Sequence, residues 1–180
     1  MRPALELTSV PTWATTPARP AADSSGRSWT VIGFGAAGSE IARAWSAELT
    51  AAGRSAVRLH EIDAVDGDEQ ARAALVADLA NARVGWRLMM AGPAHACLRL
   101  RAAAVQLDVA DDEITVASTD VDIRAVQCVH CRTITCAPVE LEDVVPCRGC
   151  GRNLLVHYHV SRRLGAHLGY MVDAEQQVAR

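Results

Sequence analysis

Two Cys-x-x-Cys pairs near the C-terminus constrain this chain more than any other feature of its sequence. Cys128-Val-His-Cys131 and Cys147-Arg-Gly-Cys150 are separated by fifteen residues. Each short turn directs two thiolates at one point, so two turns complete a tetrahedral four-sulfur site with metal–sulfur distances of about 2.3 Å. The pattern predicts a structural Zn²⁺ held by Cys128, Cys131, Cys147 and Cys150, with all four positions closed to substrate.

Other uses of paired cysteines fit this pattern less well. A rubredoxin-like iron site has the same turns, but its pairs lie further apart and aromatic rings surround them, whereas this module has only Tyr158 and Tyr170. A plant-type [2Fe–2S] cluster needs Cys-x4-Cys-x2-Cys, and Cys128, Cys131 and Cys136 present the opposite order. A second pair disfavours a thioredoxin-like redox motif. Iron, or no metal at all, therefore stays the alternative to zinc.

The other cysteines and histidines are interpreted as structural. Cys97 is predicted to be a small buried residue of a helix, and Cys136 a residue of a strand. His130 lies inside the first pair, where it could replace a cysteine as ligand. His157, His159 and His167 are considered for a second metal site. His157 and His159 alternate along a strand and so share a face, but the nearby sequence supplies no carboxylate to complete the site. No nucleophile–base pair is evident, so no catalytic residue is assigned.

Composition narrows the function classes. Half of the residues are apolar and 22% are charged, which permits a buried core. A net charge of −3 disfavours a nucleic-acid binder that neutralises phosphates. All 18 basic residues are arginine, which excludes a P-loop lysine or a Schiff base. No membrane span or secretory signal is recognisable, so we expect a cytoplasmic protein whose cysteines stay reduced and available to metal.

The chain divides into three zones. Residues 1–27 hold four of the seven prolines and predict a flexible arm. Residues 28–120 alternate strand and helix signals, which predicts a parallel, Rossmann-like α/β sheet. Residues 121–180 predict a small β-rich zinc ribbon that needs a metal to hold a core. The predicted strands of the α/β domain are 29–33, 56–62, 86–91 and 113–117; its helices end at Gly53, span 68–81 and span 93–107.

A glycine-rich segment opens the first predicted helix. Gly33, Gly35 and Gly38 fit G-x-G-x-x-G between a strand and a helix, where backbone amides and the helix N-terminus can bind a pyrophosphate. Glu61 lies 23 residues further on, at the end of the second strand, where an acid can bind a ribose 2′-hydroxyl. These four residues are candidates for binding NAD(P)H. The alternative is that the glycines only permit close packing of helix on strand.

The third strand and the helix after it resemble the nucleotide-binding domain of ferredoxin–NADP reductases. The similar segment begins Leu88-Met-Met-Ala-Gly-Pro and matches the Gly-Pro of that family at Gly92 and Pro93. In the family a cysteine precedes this pair, where nicotinamide meets flavin, and here that position is Ala91. A 27-residue arm also stands where a flavin-binding barrel precedes the domain. We therefore expect hydride transfer to occur on another protein.

The two modules together resemble the small, DmmA-type subunit of bacterial haem-dependent dimethylamine monooxygenase, over about residues 28–172. The specific signals are the cysteine pairs, the run His157-Tyr-His-Val-Ser-Arg-Arg163, and Leu168-Gly-Tyr170. The resemblance implies an accessory subunit, with haem on a catalytic partner and FMN and [2Fe–2S] on a reductase partner. The complex would convert dimethylamine, O2 and NAD(P)H to methylamine and formaldehyde.

Two hypotheses therefore stay open at this point. The chain is either a monooxygenase subunit that supports assembly or electron delivery, or a stand-alone zinc-ribbon nucleotide-binding protein that acts as a scaffold or regulator. Arg162 and Arg163 are candidate docking residues under the first hypothesis, although an exposed arginine pair is often only a solvated surface.

Overall fold

The computed structural model describes residues 3–63 and 67–172, so the first two residues of the arm and the last eight of the C-terminal module lie outside the described part. Three single-turn 3₁₀ helices lie at Leu5–Leu7, Thr12–Ala14 and Asp111–Glu113. The longer elements, in chain order, are β1 (Ser28–Phe34), α1 (Gly35–Ala51), β2 (Val57–Ile62), α2 (Gly67–Leu79), β3 (Trp86–Gly92), α3 (Ala94–Gln106), β4 (Ile114–Ser118), β5 (Ile123–Cys128), β6 (Ile134–Pro138), β7 (Val144–Pro146), β8 (Asn153–Ser161) and β9 (Ala166–Met171).

Strands β1 to β4 form a parallel sheet in the order β2-β1-β3-β4. Short apolar strands alternate with helices whose apolar residues recur every three to four positions, a pattern typical of parallel strands joined by helical crossovers. The prediction of an α/β module with a parallel sheet is confirmed.

Helices cover both faces of this sheet. Trp29, Val31 and Met89 point from β1 and β3 to one face, where they pack with Trp45 and Leu49 of α1. The opposite face packs against α2 and α3 in a larger cluster. Because successive side chains of a strand point to opposite faces, strands buried on both sides are apolar at almost every position. Members of the larger cluster include Ile32, Phe34, Leu75, Leu88, Met90, Cys97 and Leu100.

The arm, predicted from its sequence to be flexible, lies along both modules. Val10 and Ala14 are buried against α3 and β8. The amide of Val160 in β8 donates to the hydroxyl of Ser9 (2.9 Å), and Ala18 forms an antiparallel bridge with Ser118 at the edge of β4. Proline-rich composition predicts few regular hydrogen bonds, but it does not exclude packing of an extended segment on a surface.

Strands β5 to β9 form a second sheet in the order β6-β5-β9-β8-β7. Its pairs are antiparallel except for β5 with β9, which are parallel. One face of this sheet encloses a small core of six buried side chains, two of which are cysteines. The members of this core are Val126, Cys128, Val145, Cys147, Leu154 and Val156.

The turn between β8 and β9 contacts the α/β module. A Cβ on Gly165 would lie 2.4 Å from the carbonyl oxygen of Leu98, so this turn lies directly against α3. Arg162 of the turn forms an ion pair with Asp111, which also accepts from Arg101 at 2.8 Å. Arg162, a candidate docking residue in the sequence, thus binds the neighbouring module. None of the helices within the described ranges has the length and hydrophobicity that a bilayer crossing requires.

Candidate metal centre

The four paired cysteines converge at one end of the second sheet. Cys128 ends β5 and Cys147 follows β7, and each begins a tight turn that carries the second cysteine of its pair. The Sγ atoms of Cys128 and Cys150 are 3.8 Å apart, and those of Cys131 and Cys147 are 3.5 Å apart. A tetrahedron with metal–sulfur bonds of about 2.3 Å has edges of about 3.8 Å. These two sulfur–sulfur distances are therefore compatible with a single four-thiolate metal ion.

The two turns have the same backbone hydrogen bonds. Arg132 and Gly151, the residues that follow each pair, have φ angles of 63° and 71°. Their amides donate to the carbonyls of Cys128 and Cys147, at 2.8 and 2.9 Å. Glycine adopts this left-handed conformation without strain, whereas arginine does so at a cost. The sequence indicates such a turn at Gly151 but gives no comparable signal at Arg132.

The turns also favour ionised thiols at two of the four positions. Hydrogen bonds from the side chain and backbone of Thr133 lower the pKa of Cys131 to about 6. The backbone amide of Arg152 lowers the pKa of Cys150. Burial instead raises the pKa of Cys128 to about 11. Because the thiolate is the form that binds metal, a cation at this point favours ionisation of all four thiols.

His130 is the other metal-binding side chain near this cluster. One ligand atom each from Cys128, His130, Cys131 and Cys150 lies within 4.8 Å of the others. The guanidinium of Arg152, however, contacts both ring nitrogens of His130, at 2.6 and 2.7 Å. Because an arginine is a hydrogen-bond donor only, this contact engages the lone pair that a metal would need. The four-sulfur set therefore fits a metal better than a set that includes His130.

The remaining cysteines and histidines lie apart from this cluster. Cys97 is fully buried in the α/β core, where burial raises its pKa to about 12, and Cys136 is exposed on β6. The ring of His157 packs edge-on against Tyr170 at 5.2 Å, whereas His159 is exposed. Within the described residues, the only group of three or more Cys, His, Asp or Glu ligand atoms within 4.8 Å of one another is that of Cys128, His130, Cys131 and Cys150.

The glycine-rich segment forms the junction of β1 and α1. A Cβ on Gly38 would lie 2.4 Å from the carbonyl oxygen of Ala91, and one on Gly33 would lie 2.7 Å from the Cα of Ser39. These two glycines therefore permit close packing of α1 on β1 and β3. Gly35 differs, because its φ is +62° and nothing lies within 4 Å of its Cβ position. Only Gly35 has the open surroundings that a bound phosphate needs.

Glu61, the candidate partner of a ribose hydroxyl, is located on β2 and aligned in the sheet with Gly33. Its carboxylate forms an ion pair with Arg43 of α1. The arginine thus occupies one hydrogen-bonding direction of this carboxylate. Arg43 lies about two turns after Gly35, the first residue of α1. The G-x-G-x-x-G pattern ends at Gly38 and therefore does not predict this ion pair.

Residues 125–170 match the family model described as dimethylamine monooxygenase subunit DmmA-like, C-terminal domain. This segment is similar to a DmmA-like domain. All four clustered cysteines lie within it, and it ends at Tyr170. The resemblance to a DmmA-type subunit, which the cysteine pairs and the Leu-Gly-Tyr run indicate, is confirmed.

A curated relative supports the same conclusion. The chain is 41% identical over 98 residues to the heme-dependent oxidative N-demethylase delta subunit of Ectopseudomonas mendocina (strain ymp). The matched part is 54% of this chain and 55% of the relative, so the chain covers about half of that protein's length. No solved structure matches this chain.

Proposed function

We propose that this chain is a subunit of a multi-subunit, haem-dependent oxidative N-demethylase and that oxygen is activated on a different subunit. The observation that carries the proposal is the DmmA-like domain at residues 125–170, together with the likeness to a delta subunit of such an enzyme. The family description names dimethylamine monooxygenase, so dimethylamine is the proposed substrate of the complex. The stand-alone scaffold is the alternative that the experiment below must exclude.

The proposed reaction converts dimethylamine, O2, NAD(P)H and a proton to methylamine, formaldehyde, NAD(P)⁺ and water. Its oxidative step requires a group that activates oxygen, and haem on a partner subunit is assigned this role. FMN and [2Fe–2S] on a reductase partner would transfer the electrons of NAD(P)H. This chain supports assembly of the complex or electron delivery between its partners, in the cytoplasm, where its thiols stay reduced.

We further propose that Cys128, Cys131, Cys147 and Cys150 hold a structural Zn²⁺. Zinc bound by four thiolates has no open position for substrate, and its binding energy is folding energy for the module. Hydrogen bonds in the two turns lower the pKa of Cys131 and Cys150 and so favour the thiolate form that would bind the metal. Burial of Cys128 and Cys147 would keep water from a metal held there.

The α/β module is proposed to bind NAD(P)H weakly or not at all. Gly33, Gly35, Gly38 and Glu61 form the candidate site, but two of these glycines serve close packing and Glu61 is paired with Arg43. Position 91 is a buried alanine, which has no thiol to place near a nicotinamide. Titration calorimetry with NADH and NADPH tests this. A micromolar dissociation constant, about −8 kcal/mol, that is lost in Gly35→Val would contradict the proposal.

The subunit assignment is tested by affinity purification of the tagged chain from its native host. The expected eluate contains a haem protein, with its absorption spectrum, and a flavin-containing reductase. Reconstitution of the partners with and without this chain then follows NAD(P)H-dependent formaldehyde release from dimethylamine. Full turnover in its absence, or a chain that elutes alone, would exclude the subunit role and favour the stand-alone scaffold.

A further inference from the structure

Thr133 and Arg152 occupy equivalent positions after the first (128–131) and second (147–150) cysteine turns. The carbonyl of each accepts from the amide of the first cysteine of its turn, at 2.9 and 2.8 Å. The amide of each donates to the sulfur of the second cysteine. Thr133 differs from Arg152 because its hydroxyl also donates to that sulfur, the Sγ of Cys131. Thr133 therefore provides two hydrogen bonds to one sulfur, one from its backbone and one from its side chain.

Thr133 also lies directly against the second cysteine turn. A Cβ on Gly149 would lie 2.3 Å from the Oγ1 of Thr133, 2.9 Å from the Cβ of Thr133 and 3.2 Å from the Sγ of Cys131. Non-bonded heavy atoms pack best at about 3.5–4.0 Å, so a side chain at position 149 would push the two turns apart. The hydroxyl of Thr133 is thus located at the contact between the turns.

A second threonine connects the same two turns. Thr135 on β6 is 4% exposed, and its Oγ1 accepts from the amide of Arg148 at 3.1 Å. Arg148 directly follows Cys147, whereas Thr135 pairs in the sheet with Val126 of β5, the strand that ends at Cys128. This hydrogen bond therefore joins the strand pair that carries the first turn to the backbone of the second.

We infer that Thr133 and Thr135 position the two cysteine turns for one metal ion, and that the hydroxyl of Thr133 stays hydrogen-bonded to the sulfur of Cys131 when the metal is bound. Residues that hydrogen-bond to metal ligands orient those ligands, and their loss lowers metal affinity by about 10–100-fold. The sulfur atoms of Cys131 and Cys147, one from each turn, are 3.5 Å apart, and the contacts of both threonines lie beside this pair. The inference rests on the proposed Zn²⁺, because it assigns the geometry of that site to two residues.

A role in strand packing alone would not depend on the hydroxyls. Threonine is frequent in strands because its branched side chain packs well on a pleated surface. Valine has nearly the same shape and the same preference for strands, but it has no hydroxyl. Thr133→Val and Thr135→Val therefore separate the hydrogen bonds from the packing. Thr133→Ser keeps the hydroxyl and removes the methyl group.

Metal affinity of the full chain tests the positioning role. Zn²⁺ affinity is measured by competition with a chromophoric chelator for the unsubstituted chain and each variant. Thr133→Val and Thr135→Val are both expected to bind Zn²⁺ at least about ten-fold more weakly, and Thr133→Ser within about three-fold of the unsubstituted chain. Thr115 on β4 is half-buried like Thr133, and the control Thr115→Val should bind within about two-fold.

The absorption spectrum of the Co²⁺-loaded chain separates the two threonines. Cobalt bound by thiolates absorbs in the near ultraviolet as charge moves from sulfur to metal. A hydrogen bond to the sulfur lowers the energy of its lone pairs, so loss of that bond should move the band to longer wavelength. Thr133→Val is expected to show this shift. Thr133→Ser and Thr135→Val are not, because serine keeps the donor and Thr135 contacts an amide rather than a sulfur.

Gly149→Ala tests the contact between the turns. The added Cβ should weaken Zn²⁺ binding, because Thr133 lies where it would be placed. Thr133→Ala removes the nearest atom, Oγ1, so the further loss caused by Gly149→Ala should be at least about two-fold smaller in that background. If the buried change Thr135→Val does not fold, the variants at the half-buried Thr133 still test the inference.

The possible failures are distinguishable. If the unsubstituted chain binds neither Zn²⁺ nor Co²⁺, the proposed metal site fails and the inference fails with it. If it binds both metals and the two valine variants bind them equally well, the metal site stands but the threonines do not position it. If Thr133→Val and Thr133→Ser weaken binding equally, or Thr133→Val leaves the cobalt band unshifted, the hydroxyl does not contact the metal-bound sulfur and the inference is wrong.

Discussion

The α/β module covers both faces of its sheet with helices, whereas the described part of the C-terminal module has no helix of its own and one small cluster of buried side chains. Two clusters, of 14 and 9 buried side chains, form the core of the first module. The corresponding cluster of the second has six, and two of these are cysteines that face the proposed metal site. Burial of apolar area can stabilise a domain of the first kind, but a module of about fifty residues needs a further cross-link. We therefore expect loss of buried apolar contacts to unfold the α/β module and loss of the metal to unfold the C-terminal module.

The distribution of aromatic residues makes this comparison measurable. All four tryptophans precede residue 87, and both tyrosines, Tyr158 and Tyr170, lie in the C-terminal module. Tryptophan fluorescence therefore reports on the arm and the α/β module. Near-ultraviolet circular dichroism of tyrosine reports on the metal-binding module, once the tryptophan signal is shown to be unchanged.

The largest expected effect follows from the loss of one thiolate. Cys147→Ser should release the metal and unfold the C-terminal module, because the remaining core of the module is too small to fold on its own. Tryptophan fluorescence should change little. Cys136→Ser is the matched control, since that cysteine is exposed on β6 and lies outside the cluster. Elemental analysis of both proteins decides the result, and iron with a red colour in place of zinc would favour the rubredoxin-like alternative.

A core substitution in the α/β module should produce the reverse pattern. Leu75 on α2 is fully buried, and Leu75→Ala is expected to cost about 2–5 kcal/mol of unfolding free energy. Metal content should not change. Val76→Ala, one residue along the same helix and 43% exposed, should cost less than about 0.5 kcal/mol. Urea denaturation followed by tryptophan fluorescence measures both; metal loss in Leu75→Ala would show that the two modules fold as one unit.

Acid should act on the two modules through different buried groups. His167 on β9 is 1% exposed, and burial lowers its pKa to about 4, with Arg124 acting in the same direction and the carbonyl of His157 against it. Because the pKa is about 6.5 in the unfolded chain, the unfolded state binds the proton first. Stability contributed by neutral His167 is therefore complete above pH 6.5 and is lost as the pH falls towards 4.

The loss should reach about 2 kcal/mol by pH 5. His167→Leu is expected to remove this part of the pH dependence, as measured by denaturation of the C-terminal module at pH 7.0 and 5.0. The pKa of His95 on α3 is also lowered by burial, so the comparison is made between His167→Leu and the unsubstituted chain. An unchanged pH dependence in His167→Leu would show that another group titrates in this range.

Asp78 of the α/β module titrates in a lower range. Burial acts to raise its pKa, but hydrogen bonds from His60 (2.9 Å), Thr30 (2.8 Å) and Arg58 (2.8 Å) outweigh burial and hold the pKa below its ordinary value of 3.8. Its contribution to stability is present above that value and is lost only as the pH falls further. Between pH 6.5 and 4, titration of Asp78 therefore changes the free energy of unfolding of the α/β module little.

Local periodicity predicts most of the regular elements. The predicted helices 68–81 and 93–107 correspond to α2 at Gly67–Leu79 and α3 at Ala94–Gln106. Apolar spacing predicts both helices, and the fixed backbone angle of Pro93 predicts where α3 begins. The spacing of the cysteine pairs likewise indicates which four sulfur atoms converge. Both the helices and the cysteine cluster are predicted from residues that lie close together in the sequence.

Features that depend on contacts between distant residues could not be predicted in this way. The packing of the arm against β8 involves Ser9 and Val160, which are 151 residues apart. The hydrogen-bond partners of the buried Asp78 come from two strands and leave no mark in the local sequence. Arg162 and Arg163 are adjacent and alike in sequence, yet only Arg162 reaches Asp111. Chain topology, rather than residue type, distinguishes these two arginines.

That distinction yields the smallest expected effect. Arg162→Glu places two negative charges together at the contact between the modules, since Asp111 already accepts from Arg101 at 2.8 Å. The side chain of Arg162 is 56% exposed, so the change should cost no more than about 1 kcal/mol. Arg163→Glu makes the same charge change next door, where the structure records only a backbone contact, from Gln106 to the carbonyl of Arg163 (2.7 Å), and it should cost less. Thermal unfolding followed separately by tryptophan and tyrosine signals measures how far the two transitions separate. A larger separation in Arg162→Glu than in Arg163→Glu is the expected result, because this ion pair joins the turn that contacts α3 to the α/β module. Equal behaviour of the two variants would mean that the ion pair adds nothing to the packing of Gly165 on Leu98 and of the arm on α3 and β8.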